Sequence, residues 1–135
     1  MGTVADGAAL LARLRYAYRI VEEGEWAAAQ AASMYGGSAM DAKDGFMHLS
    51  LASEVLTTAT RYYAAHAGPL LVLKVSLGKL VGAQLRCDWV GTRGAFFPHI
   101  LGGEAGYGIP CAAVESVHQL RKGGDGKWTG FNEVE

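Results

Sequence analysis

Leu70-Leu71-Val72-Leu73-Lys74-Val75-Ser76 is the most strand-like run in the chain. A stretch this rich in aliphatic residues, with Gly68-Pro69 before it and the turn Leu77-Gly78-Lys79-Leu80 after it, marks the central strand of a sheet. Ala83 to Trp89 then runs back as a second strand, and Gly91 to Gly94 forms a turn. Phe96 to Leu101 starts extended, because Pro98 steers the residue before it out of the helical region. Glycine-dense Gly102 to Gly108 is an exposed connection. Ile109-Pro110 opens a short helical turn, and Val114 to Leu120 makes the last strand.

On the N-terminal side, Leu51 to Ala65 carries an apolar stripe of Val55, Leu56, Ala59, Tyr62 and Tyr63 at helical spacing, with Ser50 placed to cap it. Gly45 to Ser50 is a short strand in which Phe46, His48 and Ser50 point one way and Met47 and Leu49 the other. Glu22 to Ser33 combines helix formers with acids in the first turn, and Tyr35 to Ser38 is a loop. Tyr16 to Val21 is the first strand, with Tyr16, Tyr18 and Ile20 on one face and Arg19 and Val21 on the other. Asp6 caps a lead-in helix ending near Leu14. The expected architecture is one α+β domain over residues 16–121, with a largely antiparallel mixed sheet and two main helices. Residues 1–15 form a lead-in, and residues 122–135 a polar tail clasped by Trp128 and Phe131.

The bulk numbers support a single globular unit. The chain has 135 residues, 50% hydrophobic and 19% charged, with a formal net charge of -1 from 12 basic and 13 acidic residues. That balance supplies no general field for phosphate backbones or anionic membranes, and the basic cluster Arg13, Arg15, Arg19 is too small for a nucleic-acid arm. Neither a secretory leader pattern nor a run of about 20 apolar residues is present, so a cytoplasmic, intracellular protein without a membrane span is expected. Cys87 and Cys111 form no Cys-x-x-Cys pair and suit a reducing compartment.

Two histidines carry the chemical interest. His48 shares its strand face with Ser50 rather than with Met47 and Leu49, and imidazole exchanges protons near neutral pH without special tuning. His99 follows a rigidifying proline and precedes a glycine-rich loop, as a side chain at a pocket rim would. Arg93, between Gly91 and Gly94, is a candidate anion fork. Each has a plainer alternative: a core histidine with one hydrogen bond, a turn histidine bound to backbone, a solvated loop arginine. Ser50 lacks the G-x-S-x-G surroundings of a nucleophile. Metal binding by His48, His99 and Asp44 lacks any short ligand spacing, the histidines being 51 residues apart. Gly102 to Gly108 does not follow the dinucleotide fingerprint, and Gly126-Lys127 lacks the hydroxyl residue of a phosphate loop.

Tyr18-Arg19-Ile20, Glu25-Trp26, Asp44 to Ser50, Leu85 to Trp89 and Arg93 to Ile100 resemble, in order and spacing, the domain of unknown function 952 family over about residues 16 to 120. The resemblance implies a fold similar to the ADP-ribosyltransferase superfamily, including RNA 2′-phosphotransferases, which bind NAD in a cleft between strands. It makes Tyr18, Arg19, Ser50 and Arg93 candidate ligand-binding residues beside His48 and His99 as candidate catalytic residues. Arg19 stands where many members have His, and Val90 stands where many have an acid. The chain therefore lacks a clear counterpart to the catalytic glutamate, which removes a main electrostatic contribution to transfer. Leu101-Gly102-Gly103 replaces the family's Tyr-Gly-Pro, and Gly103 to Tyr107 resembles an insertion. The expected ligand is an NAD-like or ADP-ribose-like nucleotide, with nucleic acid confined to a phosphorylated RNA end. The alternative is a non-catalytic interaction module whose histidines are structural.

Overall fold

The computed structural model describes residues 2–104 and 106–133. Helix α1 (Val4–Arg13) precedes strand β1 (Tyr16–Glu22), followed by helix α2 (Glu23–Ala32), β2 (Met34–Tyr35), α3 (Ala39–Asp44) and β3 (Met47–His48). A single 3-10 turn, Ala52–Glu54, leads into α4 (Val55–Tyr62), then β4 (Leu70–Ser76), β5 (Gln84–Val90) and β6 (Ala95–Gly102). The chain closes with β7 (Ile109–Pro110), β8 (Val114–Lys122) and β9 (Trp128–Thr129). The result is an α+β fold in which every pairing among the described strands is antiparallel.

The strand Leu70–Ser76 is central, as its sequence implies: the first sheet has the order β1-β4-β8-β9. Its alternate side chains enter different cores. Leu73 and Val75 join Ala17, Val21, Met47, Leu49 and Ile100 on one side, while Leu70 and Val72 join Tyr18, Ile20, Val55 and Leu120 on the other. A strand buried on both faces calls for apolar residues on both, which explains the run Leu70 to Val75; its one break, Lys74, is partly exposed and pairs with Glu133 at 2.9 Å. Trp128 and Phe131 complete the second core, 3% and 7% exposed, and the Trp128 indole donates to the carbonyl of Tyr63 at 3.0 Å.

Five local expectations are corrected. The strand after Leu80 does not run back along β4, whose two edges are already occupied by β1 and β8; β5 pairs with β6 in a second sheet of order β3-β6-β5. Leu77 and Leu80 are buried in the first core and anchor this crossover, and Gly82 turns the chain at φ +66. Thr3, not Asp6, caps α1: its hydroxyl accepts from the Asp6 amide, and the Asp6 carboxylate accepts in return from the Thr3 amide. Ser50 caps nothing, since its backbone is engaged in a two-bond bridge with Tyr18 and Leu51 occupies the cap position. Ile109-Pro110 is a strand paired with Met34-Tyr35, and the helical turn begins one residue later, at Cys111. The Tyr35 to Ser38 loop thus begins in a strand, and α3 follows it without having been anticipated.

Candidate functional site

The β3–β6 pairing sets His48 directly opposite His99. Residues facing each other across antiparallel strands project to the same side, and the two imidazoles stand with ring centroids 5.2 Å apart, nearly perpendicular. Phe46 lies against both rings, at 4.7 and 4.5 Å. These groups form one wall of a cavity of about 580 Å³, lined also by Tyr18 and Ser50 from the first sheet's side, by Met40 of α3, and by Thr58, Tyr62 and Arg93. All six candidate residues of the sequence, Tyr18, Arg19, His48, Ser50, Arg93 and His99, line this space.

Local structure explains how His48 arrives there. Ser38 precedes α3, and Gly45 ends it in the left-handed conformation at φ +82, where a side chain is costly. The chain reverses into Phe46 to His48, which brings His48 back over the start of the same helix. There Asp41, fully buried, accepts six hydrogen bonds. They come from the Ser38 amide and hydroxyl at 2.6 and 2.9 Å, the His48 amide and Nδ1 at 2.9 and 2.7 Å, and the Arg19 guanidinium twice, at 3.0 and 2.8 Å. Burial pushes the Asp41 carboxyl up, but the bonds from His48 and Arg19 outweigh it and hold the acid far below the usual carboxylate range.

Arg19 is correspondingly committed. Besides Asp41 it donates to the His48 carbonyl at 2.9 Å and the Tyr35 hydroxyl at 3.0 Å, and it is 8% exposed. Its charge fixes the corner from which His48 projects. Arg93 is no solvated loop arginine either: its side chain is 5% exposed, donates to Glu54 at 3.2 Å and Thr58 at 2.8 Å and lies over the Phe97 ring at 4.6 Å. Tyr18 donates its hydroxyl to Glu133 at 2.9 Å. The Ser50 hydroxyl lies 3.5 Å from that of Thr58, and no base contacts it among the described residues. Asp44, the acid considered for a metal site, meets His48 Nε2 at 2.9 Å, but no metal-holding cluster exists among the described residues.

His99 has a matching carboxylate. Asp88 on β5 meets its Nδ1 at 2.6 Å, and Arg86 donates to the other oxygen of Asp88 at 2.7 Å. Burial lowers the His99 pKa, against the opposing pull of Asp88, which favours the neutral ring. For Asp88, burial raises the pKa, and the bonds from Arg86 and His99 more than offset that. With Nδ1–H directed at Asp88, the neutral ring carries its lone pair on Nε2, which has no hydrogen-bond partner among the described residues. Chemically, this is a base whose tautomer is set by a carboxylate, facing a second imidazole held in the same way.

Sequence reasoning missed both carboxylates. The Ser38-x-x-Asp41 spacing ahead of Gly45 is a helix-start signature that could have located α3 and its buried acid. Asp88 offered only strand alternation with Arg86, since its partner lies on another strand. Val90 lines the cavity and brings no charge to it.

The model of the family described as "Protein of unknown function (DUF952)" matches residues 20–117. The crystal structure of protein CC0527 from Caulobacter crescentus is similar to this chain at 31% identity, covering 84% of this chain and 93% of that one, with a TM-score of 0.72. A crystal structure of its double mutant gives the same values. Its solution NMR structure gives 30% identity, coverage of 84% and 91%, and a TM-score of 0.63. No curated protein matches.

Proposed function

We propose, from the premise that this chain belongs to the DUF952 family of proteins of unknown function, that the cleft is a small-molecule site for an NAD-like or ADP-ribose-like nucleotide. The observation that carries this is the pair of carboxylate-held imidazoles, 5.2 Å apart, on the wall of a cavity of about 580 Å³. Aromatic walls from Phe46, Tyr62 and Phe97 suit a flat base, and the imidazoles suit ribose hydroxyls. We further take the architecture to be similar to the ADP-ribosyltransferase fold, a likeness supported by a cleft between two antiparallel sheets with Tyr18-Arg19 of the first strand at its edge. A cytoplasmic setting is part of the same proposal, and the free thiols of Cys87 and Cys111 suit it.

If the site is catalytic, its reaction is a group transfer at a ribosyl or phosphate centre. Neutral His99 takes the proton of the attacking hydroxyl through Nε2, and His48 returns one to the leaving group. No glutamate lines the cavity among the described residues, so the charge of the transition state is met by the imidazoles and not by the carboxylate of true ADP-ribosyltransferases. The test is a titration of NAD, ADP-ribose and a 2′-phosphorylated RNA end against wild type and His48→Ala. Saturable binding that the substitution abolishes is the expected result, and silence from all three ligands rejects the proposal.

A second reading, a non-catalytic interaction module, draws on the side-chain exposure of His99, only 7%, and on the carboxylate at each ring. It predicts that His99→Ala costs about 1–3 kcal/mol of stability, as for a lost buried hydrogen bond, without altering any ligand response.

A further inference from the structure

Each cation around the cavity already has its carboxylate, and this limits what can enter it. Two cations line the cavity among the described residues, Arg19 and Arg93, and each is buried against a carboxylate, Asp41 and Glu54 respectively. The imidazoles are likewise backed by Asp41 and Asp88, with Asp44 at the outer nitrogen of His48. Four carboxylates thus meet three guanidiniums, counting Arg86 on Asp88. An anion brought to the imidazoles would lose its water and gain no uncompensated cation, a costly exchange in an apolar enclosure. The mouth is apolar too: Met40 and Tyr62 are 50% and 54% exposed and line the opening. Outside the lining, Arg61 stands against the Tyr62 ring at 6.0 Å.

We infer that the part of the ligand reaching His48 and His99 is an uncharged, flat apolar or aromatic unit bearing hydroxyl groups, and that any phosphate it carries stays at the rim. This rests on the small-molecule reading of the cleft and narrows it. Among nucleotides it selects those whose inner ribose is bare, as in ADP-ribose, over those with a 2′-phosphate at that position. The hydroxyls have their partners waiting, an acceptor at His99 Nε2 and a donor or acceptor at His48 once Asp44, 39% exposed, swings aside.

The test uses two neutral and anionic probe pairs, benzyl alcohol with benzoate and adenosine with adenosine 2′-monophosphate. Binding is followed by ligand-observed NMR and calorimetry at pH 7 on the full chain and on Glu54→Gln, which leaves Arg93 without its carboxylate. The neutral member should bind wild type about tenfold tighter or more in any pair that binds, and Glu54→Gln should shrink that preference. Failure of both adenosine probes with a retained preference for benzyl alcohol would remove the nucleotide reading and leave this inference standing. Anions binding wild type as tightly as their neutral partners, a preference indifferent to Glu54→Gln, or no binding by either pair would each overturn it.

Discussion

The corner formed by α3 and β3 and the hairpin of β5 and β6 each present an aspartate–histidine pair to the same cavity, with burial reversed. At the corner the acid is sealed and the imidazole open: Asp41 is 0% exposed and the His48 side chain 28%. At the hairpin the Asp88 side chain is 31% exposed and that of His99 7%. The contrast teaches that one bond type serves two purposes. Asp41 is a structural hub that also aims an imidazole, whereas Asp88 is a partly solvated group that sets the tautomer of a buried one. Substitutions on the two sides should therefore separate stability from chemistry.

The largest effect is expected at Asp41. Asp41→Asn leaves Arg19 as a buried charge short of its partner and should cost about 3–5 kcal/mol in urea unfolding. Because the folded acid titrates below its unfolded value of about 4, its contribution is complete above that pH and is lost as pH falls below it. A comparable loss for Asp88→Asn would erase the distinction between the two pairs.

Gly37→Ala should come next. The glycine sits at φ +98, and an added Cβ would stand 3.0 Å from the Asp41 carboxylate. Strain of about 1–2 kcal/mol is expected from the backbone alone, measured as a lower urea midpoint.

A smaller and pH-dependent effect belongs to His99. Its folded pKa lies below the unfolded value of about 6.5, so the stability it contributes is present above that pH and declines as pH drops through 6.5 toward the folded value. His99→Gln should flatten this part of the stability profile. Asp88→Asn should lower the His99 titration midpoint further in NMR, since Asp88 opposes the effect of burial.

Asp44→Ala is expected to change stability by no more than about 0.5 kcal/mol, as for most surface substitutions. It should still change the NMR signals of the His48 ring, whose Nε2 contact it removes. A large unfolding cost here would place the whole corner, and not only its buried acid, in the structural role.

Much of this arrangement was visible one residue at a time. The alternation of Phe46, His48 and Ser50 against Met47 and Leu49 placed His48 away from the first core, where the latter two are buried. The proline and glycines around His99 suggest a pocket rim, whereas His99 lies buried within a strand whose side chains line the cavity. Arg93 and Arg19 were recognised as present in the site, but their neutralisation by Glu54 and Asp41 was not, because each partner lies on a separate element. Helix α3 was missed since six residues carry too few turns for an apolar period to emerge.

The amino-acid order by itself determined the strand at Leu70 to Ser76, the helical stripe below Ser50, and the faces on which Tyr18, Arg19 and His48 project, because side-chain direction follows from backbone periods of 2 and about 3.6. Which strand lies beside which, and hence the meeting of His48 with His99 and of each with its carboxylate, was decided only in three dimensions. Strand pairing joins residues far apart in the chain, which local periodicity does not specify. With β4 paired to β1 and β8, β5 lies beside β6 in a second sheet, and that sheet carries His48, His99 and Val90 into the cavity wall.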